Sequence, residues 1–114
     1  MRRKKNQLGF TLVEVLIVLI IIGVLVALAL PRYFSARTDA ESNVCRGNQR
    51  TIKSQLEIYR LRTGAYPVSQ VAFTSFANSE AWFAQPGPRC PVGSNTYTYS
   101  VGGNTYSVTC PNGH

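Results

Sequence analysis

One carboxylate, Glu14, stands inside an apolar run that extends from Phe10 to Leu30. An acid near the centre of a membrane helix costs roughly 3 kcal/mol, so Glu14 asks for a cationic partner and a reason to be there. Four cations, Arg2, Arg3, Lys4 and Lys5, precede the run, and Gly9 marks the junction. Beyond it lie three thiols, Cys45, Cys90 and Cys110, and a row of cations at helical spacing, Arg46, Arg50, Lys53 and Arg60. These residues can pair a buried charge, close a disulfide and attract phosphate. They do not assemble a catalyst. There is no His/Cys or Ser/His/Asp set, no P-loop lysine, and outside Glu14 the acids are only Asp39, Glu41, Glu57 and Glu80. No enzymatic activity and no cofactor are expected.

The elements that must hold these groups follow from periodicity. About twenty apolar residues match the hydrocarbon thickness of a bilayer. Basic residues beside such a span keep that end in the cytoplasm, so everything after Leu30 should lie outside. A conventional secretory signal has a shorter apolar core, about 7–15 residues, with its cleavage site behind it. The net charge of 114 residues is +7, but the four leading cations supply most of it and the remainder is only about +3. The basicity is therefore a targeting signal rather than the mark of a nucleic-acid protein.

The run should be helical, because lipid obliges every backbone polar group to bond internally. Gly23 and Pro31 are its soft points, and Pro31 predicts a kink or break near Ala27. From Arg32 to Thr63 the pattern becomes amphipathic. Cys45, Ile52, Leu56 and Tyr59 form one face, widened by Ile58 and Leu61, while Arg46, Arg50, Lys53, Glu57 and Arg60 form another. Glu57 can pair with Lys53 or Arg60. Gly64 then stops the helix. A helix from Phe10 to Thr63 would be roughly 80 Å long. The stretch 68–89 carries no clear periodicity, beyond a turn capped by Ser79. Its Phe73, Phe76, Trp82 and Phe83 read as core filling for a small head. Tyr97, Tyr99 and Val101, then Tyr106, Val108 and Cys110, alternate with hydroxylated residues around Gly102-Gly103-Asn104. That predicts an antiparallel hairpin whose apolar face covers Ile52, Leu56 and Tyr59.

All three cysteines lie beyond the span, on the side where disulfides persist. Three thiols allow one bridge and one leftover. Cys90 and Cys110 bracket the hairpin region and are expected to bridge, leaving Cys45 as a buried thiol; a bridge from Cys45 to either partner is the alternative. The spacings lack the paired short gaps of a zinc site and His114 is the only histidine, so no metal is expected.

The string Lys5-Asn-Gln-Leu-Gly9-Phe10-Thr11-Leu12-Val13-Glu14 resembles the prepilin signal of type IV pilins and pseudopilins. Asn48, Ile52, Tyr59 and Gly64-Ala-Tyr66-Pro67 are similar to the exposed helix and its exit in short bacterial pilins. Cys90-Pro91, Tyr97-Thr98-Tyr99 and Val108-Thr109-Cys110-Pro111 resemble the tail of small pilins and competence-type pseudopilins. The resemblance implies an α+β fold, a long N-terminal helix packed on a small antiparallel head. It implies a leader over 1–9, a membrane or filament-core helix over 10–30, an amphipathic helix over 31–64 and a head over 65–114.

It also implies cleavage by a prepilin peptidase between Gly9 and Phe10, N-methylation of Phe10, and pairing of that amine with Glu14 of a neighbouring copy. The stretch between Gly23 and Pro31 would melt on assembly. The partners implied are other copies, other pilins, an inner-membrane platform and a motor ATPase. The location implied is the inner membrane, then an extracellular pilus or periplasmic pseudopilus. A type II secretion or competence DNA-uptake filament is the alternative, with Arg46, Arg50, Lys53 and Arg60 as a track for nucleic acid. The acidic cluster of calcium-binding major pseudopilins is missing, which counts against that branch.

Overall fold

A computed structural model describes residues 9–113. The cations Arg2, Arg3, Lys4 and Lys5, and His114, lie outside the described residues. The order of elements is α1 (Leu12–Thr63), α2 (Gln70–Ala77), β1 (Thr98–Gly102) and β2 (Thr105–Thr109). The fold is α+β. Contacts divide the chain between Arg37 and Thr38 into two units.

In the first unit α1 starts at Leu12, two residues later than expected, which leaves Gly9, Phe10 and Thr11 outside the helix. Of the kink or break expected near Ala27, a break is not seen: α1 continues through Gly23 and Pro31. Proline removes only one donor from a helix of this length, and the turns on either side retain their own bonds. Every described residue of this unit is exposed. Phe10 is 84 % exposed, and Leu16, Leu19, Ile20, Leu25 and Leu28 all stand free of protein contact that would bury them. α1 contains a stretch long and apolar enough to cross a membrane. Such a surface needs lipid or other chains to cover it.

In the second unit, the α1 residues Cys45, Ile52 and Leu56 are fully buried, with Tyr59 packed beside them. They meet Tyr97, Tyr99, Val108 and Cys110 of the hairpin region, the face that strict alternation selects. β1 and β2 pair antiparallel, Tyr99 opposite Val108 and Val101 opposite Tyr106. Burying the apolar face of a two-stranded ribbon against a helix is what makes such a ribbon stable.

α2 was not legible from periodicity. Its start is nonetheless chemically ordinary: Ser69 caps it, its hydroxyl accepting from the Ala72 amide at 3.2 Å. It delivers Phe73 and Phe76 to the core, where Phe73 stacks on Tyr99 with ring centroids 4.7 Å apart. The turn at Ser79 is present, with the Trp82 and Phe83 amides both donating to the Ser79 carbonyl at 3.1 Å. Gly64 ends α1 at a φ of 89°, a left-handed conformation that glycine adopts at no steric cost.

Candidate functional site

The charged site of the first unit begins with Thr11 and Glu14. The Glu14 amide donates to Thr11 Oγ1 at 3.2 Å, and the Thr11 amide donates to Glu14 Oε2 at 3.4 Å. Thr11-Leu12-Val13-Glu14 is thus a capping box, in which two otherwise orphaned helix donors are satisfied reciprocally. The Glu14 carboxylate also faces the positive end of the helix dipole. The pattern was visible as Thr-x-x-Glu before an apolar run, but sequence reasoning assigned Glu14 only to a partner on another copy. Gly9 and Phe10 are exposed and lie ahead of the first helical residue. Their peptide bond is therefore exposed and outside the helix.

In the second unit the polar interactions tie the hairpin to α1. Glu57 Oε1 accepts hydroxyl bonds from Tyr66 at 2.8 Å and Tyr106 at 3.2 Å. The expected pairing of Glu57 with Lys53 or Arg60 gives way to these phenols, which reach the carboxylate from the head. Arg60 turns the same way. Its guanidinium donates to Tyr66 Oη at 3.2 Å and Asn104 Oδ1 at 3.3 Å, and lies over the Tyr66 ring. Arg46, Arg50 and Lys53 remain exposed, so the cationic row keeps three of its four members on the surface. Burial, then the nearby Glu57 carboxylate, pushes the Tyr106 phenol up to about 12. Gln70 supports the open edge of β1, its Oε1 accepting from the Tyr99 amide at 2.6 Å and its Nε2 donating to the Tyr97 carbonyl at 3.1 Å.

The thiols converge. Cys45 comes from α1, Cys90 from the loop before β1, and Cys110 directly after β2; their sulfurs all lie within 4.8 Å of one another. The Cys90 and Cys110 sulfurs are 3.3 Å apart. Asn112 Nδ2 donates to Cys90 Sγ at 3.1 Å and to the Val92 carbonyl at 2.7 Å. Burial first, then Cys110, pushes the Cys45 thiol up to about 11. Tyr97, 1 % exposed, brings its hydroxyl into the same core beside Cys45 and Asn48, without a well-formed hydrogen bond among the described residues. Burial, then the neighbouring Cys45, raises this phenol too. Cys45 is therefore not an isolated hydrophobe. Its place on the Ile52–Leu56 stripe, and that of Cys110 on the apolar face of the hairpin, were the signals that could have joined them.

Residues 4–30 match the prokaryotic N-terminal methylation motif. The type II secretion system core protein G of Pseudomonas aeruginosa is 32 % identical over 84 residues, which cover 74 % of this chain and 59 % of that protein. Its counterpart in Aeromonas hydrophila is 29 % identical over 87 residues, 76 % of this chain and 59 % of that one. The type IV narrow pilus major component PilA5 of Thermus thermophilus is 28 % identical over 107 residues, 88 % of this chain and 92 % of that protein. The chain thus spans about three fifths of the length of these two secretion relatives. No solved structure matches it.

Proposed function

We infer, for a chain that belongs with the type IV pilins and pseudopilins bearing the N-terminal methylation motif, that it is a structural subunit of a helical filament. The role is assembly rather than catalysis. The observation that carries it is the first unit itself, an apolar helix exposed on every side with one carboxylate at its start. In the membrane, lipid covers that surface. In a filament, the same surface of other copies replaces the lipid.

The steps follow from charge. A prepilin peptidase cuts between Gly9 and Phe10, removing four cations that could not enter an apolar filament core. The cut creates an ammonium on Phe10, which N-methylation leaves charged. That ammonium meets Glu14 of a neighbouring copy, and in a low-dielectric core the two charges attract strongly. Left alone, each would bear its own desolvation cost. The exchange requires Glu14 to loosen its contact with Thr11, a bond that its 3.4 Å length already leaves weak. Gly23 and Pro31 are the positions where α1 would give way to let copies bundle. An inner-membrane platform and motor ATPase would supply the work of extraction. In the head, Cys90 and Cys110 would bridge in the oxidising compartment.

Of the two kinds of filament, a pilus is the first reading and a type II secretion or competence filament the second. Both kinds of subunit are among the relatives, and the residues that carry the reading, Gly9, Phe10 and Glu14, are common to the two. The test is to shear surface filaments from cells making this chain and identify the subunits by mass spectrometry, alongside the periplasmic and membrane fractions. The chain is expected as a body subunit of the sheared fibres. Recovery only as a membrane monomer would contradict the reading.

A further inference from the structure

Three sulfurs from three separate segments meet in one buried spot, and a disulfide can use only two of them. Zn²⁺ binds thiolate sulfur at about 2.3 Å, which places tetrahedrally disposed sulfurs ~3.8 Å apart. Cys90 and Cys110 stand 3.3 Å apart, somewhat inside that value, and no pair of the three sulfurs is separated by more than 4.8 Å. Two further groups suit a bound cation. Asn112 donates an N–H to Cys90 Sγ, the outer contact that orients and steadies a ligating thiolate. The Tyr97 hydroxyl is buried beside the cluster, next to Cys45 and Asn48, but makes no well-formed hydrogen bond among the described residues, although buried polar groups rarely go unsatisfied.

We propose that Cys45, Cys90 and Cys110, when reduced, form a binding site for one thiophilic divalent cation of the Zn²⁺ type, with Tyr97 oxygen next to the fourth position. Each thiol gives its proton to solvent as its sulfur takes the ion. Three thiolates on a dication leave a net charge of one negative, whereas a monocation such as Cu⁺ would leave two; the apolar surroundings favour the smaller residue of charge. Bridge and ion are mutually exclusive uses of Cys90 and Cys110, so the redox state selects between them. The site was hidden in sequence because its ligands come from a helix, a loop and a strand end rather than from paired short gaps. The inference concerns the second unit alone and does not depend on filament assembly.

The experiment is anaerobic titration of the full chain in detergent, reduced by a phosphine until all three thiols react with a thiol reagent, with Co²⁺ as the probe. The expected result is a thiolate-to-cobalt charge-transfer band that saturates at one ion per chain and disappears when Zn²⁺ is added. Cys45→Ser should lose this stoichiometric band although it retains the 90/110 pair. X-ray absorption at the zinc edge of the wild-type chain should report three sulfur neighbours, a readout that needs no variant to fold. A fully reduced chain with no cobalt band, a band unchanged in Cys45→Ser, or a zinc spectrum with fewer than three sulfurs would each overturn the proposal.

Discussion

Glu14 and Thr11 hold each other at the head of α1, each side chain accepting from the other's backbone amide. The acid that the apolar run should least tolerate is thus already in use before any second copy arrives. Its cap contact ranks below what a charged ammonium can offer in the same low-dielectric setting. In the proposed assembly, Glu14 would wait in this satisfied state and then change partner.

That relationship separates two variants. Glu14→Ala loses both the cap and the proposed partner for the Phe10 amine, so cleavage should continue while filaments fail to form. Thr11→Val loses only the cap side chain, a change worth about 1 kcal/mol at a helix start, and should still polymerise. Immunoblots of sheared and membrane fractions read both outcomes. Equal loss of filaments in the two variants would reduce Glu14 to a helix cap.

Gly87 is the most closely confined of the described glycines. It is buried, and a Cβ there would run into the Ala77 carbonyl oxygen at the end of α2. Gly87→Ala should therefore destabilise the head by about 1–3 kcal/mol, the usual cost of overpacking. Thermal unfolding followed by near-ultraviolet circular dichroism should place the variant well below the parent, because the Phe76, Trp82 and Phe83 cluster reports on that region.

The extent to which the sequence disclosed this molecule differs between its parts. Strict alternation in Tyr97–Val101 and Tyr106–Cys110 gave the hairpin and its buried face, and the 3.6-residue stripe gave the face of α1 that receives it. Both are cases where one period dominates. α2 escaped notice because its eight residues are apolar on several sides and only Ser69 announces it. Glu57 was expected to pair with Lys53 or Arg60 because helix neighbours are visible in sequence, whereas Tyr66 and Tyr106 reach it from other segments. The thiol cluster was missed for the same reason: residues far apart along the chain meet only once the hairpin lies on α1.

The Tyr106 phenol gives the head a defined response to alkali. Its folded value, about 12, exceeds the ordinary 10, so folding favours the neutral form. The stabilisation it adds is complete below pH 10 and is lost as pH climbs through about 12. Aromatic circular dichroism stepped from pH 8 to 12.5 should show a loss of tertiary signal over that window. Tyr106→Phe, which cannot ionise, should retain more of its own starting signal at the top of the range. An identical profile in the variant would remove Tyr106 from the account.

In chain isolated from an oxidising compartment, peptide mapping without reduction should find Cys90 joined to Cys110 and Cys45 unbridged. The 3.3 Å approach of the first pair, and the route of both through the hairpin region, support that choice. A linked peptide containing Cys45 would instead fasten α1 directly to the head.

Intact-mass and N-terminal analysis of the subunit taken from assembled fibres tests the central claim most directly. The account predicts a chain that begins at Phe10 with one methyl group on its amine. Fibres of ordinary form built from a subunit that still carries residues 1–9 would contradict it.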